Sequence, residues 1–318
     1  MNRREFLVGA AGVVAFPRLA LDPGRPVALA TADLESRVVA VDLRTGRVRG
    51  HVATHRYPRS IERVGPSSAV VCHSELGLVS VLDAPSLAVR HVVGGFGEPR
   101  YVAAHPDGRH AYVTDARRGD VALLDTRAGR VVAREPVGPL ARHISLDPGG
   151  RRLWVALGSK AREIAIVDVA ALRPRLVRRF APPFLSHDVG FAPDRRHAWV
   201  TGGEGRSLAV YDLPSGRVVA TPAAAWPPQH VTFHGDRAYV TSGWSGSLHV
   251  HALGGRQLLA NPVPVGSYNV QQDEGWVVTP ALGRGFLTTV GLDGRPLRSE
   301  RIARSSHDAC IVRHRSDA

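Results

Sequence analysis

Residues 111–133, AYVTDARRGDVALLDTRAGRVVA, contain two short β-branched and apolar runs, a tight turn at TRAGR and a third run. Period-two alternation broken by a glycine turn is the pattern of strands joined by hairpins. The phrase is repeated along the chain. It returns as VALATADLESRVVAVDLRTGRVRG from Val27, AVVCHSELGLVSVLDAPSLAVRH from Ala69, LWVALGSKAREIAIVDVAALRPRLV from Leu153 and AWVTGGEGRSLAVYDLPSGRVVA from Ala198. Weaker copies begin at Ala238 and Trp276, which makes seven.

The aligned turn positions are Asp42, Asp83, Asp125, Asp168, Asp212, Ala252 and Gly291, spaced 39 to 44 residues apart. That is the period of a four-stranded propeller blade. Helical solenoids share the period, but they carry long amphipathic stripes rather than alternation and a turn in every copy. Each copy supplies an xYVT strand, a VxxxD strand and a GRVV strand, preceded by a strand such as RYVAAHPDG. Closing such blades into a ring lets every sheet bury both faces and leaves only short edges.

Composition agrees. The 318 residues are 44% hydrophobic, with 33 Gly and 23 Pro, enough to bury a core built from short strands and tight turns. The formal charge is +13, carried almost wholly by arginine, since Lys160 is the only lysine. A basic surface favours anionic ligands, nucleic acid or anionic lipid heads, although a solvated arginine-rich exterior accounts for it as well.

The first twenty residues, MNRREFLVGAAGVVAFPRLA, place Arg3 and Arg4 before Phe6, Leu7 and a short apolar run. The run is too short to span a bilayer as a mature helix. RREFL resembles the twin-arginine signal, a receptor-read address for export of folded proteins. The expected organisation is a signal segment at 1–22 and one propeller domain at 23–318, exported to the periplasm, the cell surface or the medium. No later apolar run is long enough for a transmembrane helix.

The chain resembles the YVTN β-propeller family through AYVTD at 111–115, AWVTG at 198–202 and AYVTS at 238–242, with PDG at 106–108 and APDRR at 192–196 in turns. The resemblance covers nearly all of the chain beyond the signal segment. It implies an all-β, seven-bladed propeller of four-stranded antiparallel blades in a bacterial, often exported protein. The family includes binding proteins, structural proteins and oxidoreductase subunits, so the motifs specify fold and leave activity open.

The ring has a seam. The first copy lacks an inner strand ahead of Val27, and SHDACIV at 306–312 follows the last copy with nowhere else to pair. The two ends are therefore expected to share a blade. Cys72 and Cys310 fall in neighbouring blades; an exported protein can oxidise such a pair, while two buried free thiols is the reading preferred here.

The starts of the inner strands ring one mouth of the central channel: Arg59-Ser60, Arg100-Tyr101, Arg142-His143, His187-Asp188, Gln229-His230, Tyr268-Asn269 and His307-Asp308. Three consecutive blades offer arginine, whose forked donors suit a carboxylate or phosphate. His143, His187, His230 and His307 read either as metal ligands or, in the repeated SHD at 186–188 and 306–308, as a hydrogen-bonding device that closes blades.

No GxSxG turn or phosphate-cradling glycine loop is present. Two classes of function remain. The preferred one is a monomeric binding or scaffold propeller holding an anionic small molecule or an acidic protein segment at Arg59, Arg100, Tyr101, Arg142, His143, His187, Asp188, His230, Tyr268, His307 and Asp308. The alternative is a metal-assisted lactonase-like hydrolase or an oxidoreductase subunit using the His and Asp residues of the ring. Few aromatics line the mouth for stacking bases, which argues against nucleic acid.

Overall fold

The computed structural model describes residues 24–66 and 68–313. The segment read as an export signal, 1–22, lies outside the described residues. Among the described residues, seven four-stranded antiparallel sheets form a ring.

Numbered by inner strand, blade 1 is Ile61–Val64, Ser68–His73, Leu78–Asp83 and Ala88–Val93. Blade 2 begins at Pro99–Ala104, blade 3 at Ala141–Leu146, blade 4 at Ser186–Phe191, blade 5 at His230–His234 and blade 6 at Gln271–Asp273. Blade 7 closes the ring: its inner strand is Ala309–Arg313, followed by Pro26–Ala32, Arg37–Asp42 and Val48–Ala53. The shared blade expected at the seam is present, with Val27 opposite Val312 and Leu29 opposite Cys310.

The second and third strands of each blade carry the core, and the outer strand meets solvent. Ser68–His73 is buried throughout, whereas Pro296–Arg301 is exposed throughout. Apolar side chains interlock between blades: Val27, Leu29 and Cys310 of blade 7 cluster with Ile61, Val71 and Leu82 of blade 1. Each such valine or leucine contributes about 1.5–3 kcal/mol on burial, so the blades hold one another in place.

The repeated aspartate caps the turn between the third and fourth strands. Asp42 accepts from the backbone N–H groups of Arg44 and Thr45, and Asp125 from those of Arg127 and Ala128. Gly46 and Gly129 complete these turns at φ +72° and +62°, where a side chain would be strained.

The threonine of the YVT motif bridges blades. Its hydroxyl donates to the carbonyl of the next blade's inner strand: Thr31 to Arg59 (3.1 Å), Thr114 to Arg142 (2.6 Å), Thr201 to Gln229 (2.7 Å) and Thr241 to Tyr268. The motif that marks the repeat is thus a set of inter-blade fasteners at the channel mouth. Cys72 occupies the matching position in blade 1, where Ser60 donates to the Arg100 carbonyl instead. Cys72 and Cys310 are both free and buried, and burial pushes the Cys72 thiol up to about 12.

Candidate functional site

The inner strands of blades 2, 3 and 4 slip register against their neighbours between Pro99 and Val102, Ala141 and Ile144, and Ser186 and Val189. The residues inside those slips are Arg100-Tyr101, Arg142-His143 and His187-Asp188. Bulges of this kind re-aim side chains, and here they turn polar pairs toward the channel mouth at its most crowded sector.

One side of the mouth is cationic. Arg59, Arg100 and Arg142 lie close enough to act on one another; burial is the main cause that holds the Arg59 guanidinium below its ordinary value and lowers Arg142 to about 10, with neighbouring guanidiniums adding to both. Arg100 pairs with Glu98 at 2.8 Å. The Nε atoms of all three arginines are buried without a hydrogen-bond partner among the described residues. The Arg142 guanidinium sits 5.9 Å from the centre of the Tyr101 ring.

Tyr101 joins this wall to a group of imidazoles. Its ring centre is 4.2 Å from that of His143 and 5.7 Å from that of His230. His143 is 4.3 Å from His187 and 4.8 Å from His230, centre to centre. One ring nitrogen of each of the three histidines lies within 4.8 Å of the other two.

Two of the rings are oriented from behind. His187 Nδ1 is 2.8 Å from the Ser159 carbonyl, so it carries the proton and donates, and Nε2 is left with a lone pair. His230 Nδ1 faces the Asp188 carboxylate at 3.3 Å. Both nitrogens of His143 are buried without a partner among the described residues. Burial, reinforced by the neighbouring rings, holds His187 down to about 3 and His143 well below its ordinary value, so both are neutral at pH 7.

The two SHD copies have separate uses. Both aspartates hook the next blade: Asp188 accepts from the Val231 N–H and Asp308 from the Ile61 N–H, each at 3.2 Å. Their own N–H groups donate to Thr201 and Thr31 at 3.0 Å. His307 belongs to the fastening, with Nδ1 3.1 Å from the Arg59 carbonyl and the Asn269 amide donating to its backbone oxygen at 2.7 Å. His187 instead joins the imidazole group. Tyr268 is set apart, its ring against Gly243 and 6.0 Å from that of Trp244.

Beyond the mouth the channel holds a cavity of about 310 Å³ lined by Glu62, Tyr101, Asp188, His230, Gln271 and Asp308, among others. Burial, with Asp308 and Asp273 nearby, raises Glu62 to about 8, and burial raises Asp308 to about 8. Glu62 was not among the expected site residues. Alternation from Ser60 places it on the channel side, which was the signal available.

No family model matches the chain. It is similar to the uncharacterized protein YncE of Salmonella typhimurium and to that of Salmonella typhi, each 25% identical in an alignment 207 residues long that covers 59% of this chain. The chain spans 57% of the length of these curated relatives. Among solved structures, a functionally unknown protein from Desulfotomaculum acetoxidans matches with a TM-score of 0.77 and 14% identity, over 91% of this chain and 99% of that one. Hydrazine synthase from Kuenenia stuttgartiensis matches at 0.66 and 16%, over 80% and 95%. The dihydro-heme d1 dehydrogenase NirN in complex with DHE matches at 0.61 and 18%, over 92% and 66%. At these identities the likeness is one of fold.

Proposed function

We propose that this propeller is an exported, monomeric binding protein whose channel mouth captures a small anionic ligand, a carboxylate or a phosphate. The observation that carries the reading is the arginine cluster: three guanidiniums from consecutive blades converge with Glu98 bonded to Arg100 and Asp33 and Glu75 near Arg59, and their Nε donors are buried without partners among the described residues. Like charges gathered in a partly desolvated place cost free energy unless an anion offsets them. Blade packing does not require arginine there, since blades 4 to 7 begin their inner strands with other residues. An acidic protein segment would satisfy the same donors through its carboxylates. Export rests on RREFL and the apolar run that follows.

The test is thermal melting with citrate, phosphate and simple carboxylates at matched ionic strength. A ligand bound only by the native state adds about 2.7 kcal/mol at a hundredfold excess over Kd, so the midpoint rises with concentration. The Arg100→Ala, Arg142→Ala double variant is expected to lose that response. Equal responses in both proteins would refute the site.

A second reading, a redox or hydrolytic enzyme, is favoured by one observation, the three converging imidazoles. NirN is a dehydrogenase of similar fold, and at 18% identity its likeness to this chain shows the fold alone.

A further inference from the structure

We infer that His143, His187 and His230 form a binding site for one divalent first-row transition-metal ion. The site stands apart from the anion reading, because none of its ligands is an arginine and it needs no anion to exist.

The argument starts from what the strands present. Each imidazole comes from a different inner strand, in blades 3, 4 and 5, so three rigid sheets set the positions and little ordering remains for binding. Three imidazoles are a borderline-soft donor set, suited to zinc, cobalt or copper and unsuited to magnesium or calcium, which take oxygen.

Their outer partners follow the habit of metal-binding histidines, whose far nitrogen donates to a carbonyl or a carboxylate. His187 does so to Ser159, and His230 faces Asp188. Among the described residues neither ring's Nε2 has a hydrogen-bond partner. His143 lies between them, both of its nitrogens buried and unpartnered among the described residues. A buried imidazole with neither nitrogen satisfied is costly to keep, and a metal bond removes part of that cost.

The spacing is compatible. Three nitrogens at most 4.8 Å apart have a common point no farther than about 2.8 Å from each, against the roughly 2.0–2.1 Å of a zinc–imidazole bond. An inward shift of about 0.7 Å per ring closes the difference, within the reach of small χ rotations. By contrast, His307 lies outside this group, since among the described residues only the nitrogens of His143, His187 and His230 come within 4.8 Å of one another, and it is not a ligand. The three-histidine set leaves a fourth position for an exogenous ligand.

The nearby guanidiniums oppose a bare cation. Asp188 behind His230 offsets part of this, and an anion on the fourth position would offset more. Metal and anion should then strengthen each other's binding by the same factor. This coupling, unlike the metal site itself, rests on the anion reading.

The experiment uses the full-length, tag-free protein stripped with a chelator, in a buffer without coordinating anions. Titration with Co²⁺ should saturate at one equivalent with visible bands of an imidazole-bound, low-coordinate ion, and Zn²⁺ should displace it. A His143→Gln, His187→Gln, His230→Gln triple variant should lose the equivalent, whereas His307→Gln and Arg100→Ala should keep it. Asp188→Asn retains an acceptor for the Val231 N–H and should weaken metal binding about 10–100-fold. If the triple variant does not fold, Cu²⁺ bound to the wild-type protein decides: hyperfine splitting from three nitrogens supports the site, and splitting from fewer overturns it. Absence of saturable binding, or an equivalent that survives in the folded triple variant, also overturns it. Loss of anion stabilisation with metal binding intact would remove the anion reading alone.

Discussion

The hydroxyl of Thr31 lies 3.2 Å from the backbone carbonyl of Asp308, across 277 positions of sequence, and the Asp308 N–H returns the contact at 3.0 Å. Thr31 also donates to the Arg59 carbonyl of blade 1. One side chain therefore ties the last inner strand, the first described strand and the following blade together, at the place where the ring would otherwise open.

Deleting residues 306–318 removes that inner strand and exposes an edge of Pro26–Ala32, whose seven residues are buried in the intact ring. Exposed apolar edges template association. The truncated protein is expected to aggregate or to lose its cooperative melt, measured by light scattering and circular dichroism. A truncated monomer with an unchanged midpoint would refute closure by this strand.

Thr201 tests the fastening motif away from the seam. It donates to the Gln229 carbonyl at 2.7 Å and accepts from the Asp188 N–H at 3.0 Å, both buried. Valine fills the same volume without either bond, so Thr201→Val should cost about 1–3 kcal/mol per group left unmet, and Thr201→Ser much less. Denaturant unfolding of the two variants against wild type measures the difference.

Much of the fold was legible because its signals are local. Alternation, turn aspartates and glycines recur at one period, and the missing first strand announced the seam. The positions of the polar pairs, at or just before the starts of the inner strands, were legible from the same register. The roles of the pairs were not. SHD is spelled identically at 186–188 and 306–308, yet His187 meets Ser159 and two imidazoles, whereas His307 meets Asn269 and Arg59. Those neighbours are supplied by other blades, and the bulges that rotate Arg142-His143 and His187-Asp188 leave no mark in an alternating pattern.

Glu62 gives a pH dependence of definite sign. Its carboxyl is raised from 4.5 to about 8 by burial first, then by Asp308 and Asp273, with Arg63 opposing. Between about pH 4.5 and 8 the folded state keeps a proton that the unfolded state has released, so stability falls as pH rises through that window and levels off above it. Glu62→Gln removes this contribution. Its midpoint should match wild type near pH 4.5 and exceed it by a few degrees at pH 8. A constant difference across the window would show that Glu62 titrates normally.

Buried free thiols make a simpler prediction. Cys72 and Cys310 fall in separate apolar clusters, and both thiols are pushed up by burial. Since the thiolate is the reactive form, a disulfide-exchange reagent should label neither in the native protein and both after denaturation. Rapid native labelling, or a mass lower by two hydrogens, would contradict the packing.

Arg142 sets two effects against each other. Its guanidinium over Tyr101 gains about 0.5–2 kcal/mol from the ring. Against this stands the cost of keeping a largely desolvated charge, its Nε unpartnered, beside Arg59 and Arg100, which for a poorly compensated ion reaches several kcal/mol. The second effect is the larger, because Glu98, the carboxylate that acts on Arg142, is already bonded to Arg100, and Asp33 and Glu75 act on Arg59 instead. Arg142→Met keeps the apolar stem over Tyr101 and removes the charge. At low ionic strength and without multivalent anions it should therefore melt higher than wild type. Added citrate should raise the wild type and leave the variant nearly unmoved, so the two curves approach and cross. Salt of a weakly binding anion should narrow the gap by screening alone, without producing the crossing. If Arg142→Met melts below wild type at every anion concentration, the arginine wall is a source of stability rather than a store of repulsion, and the argument for an anion at the channel mouth fails with it.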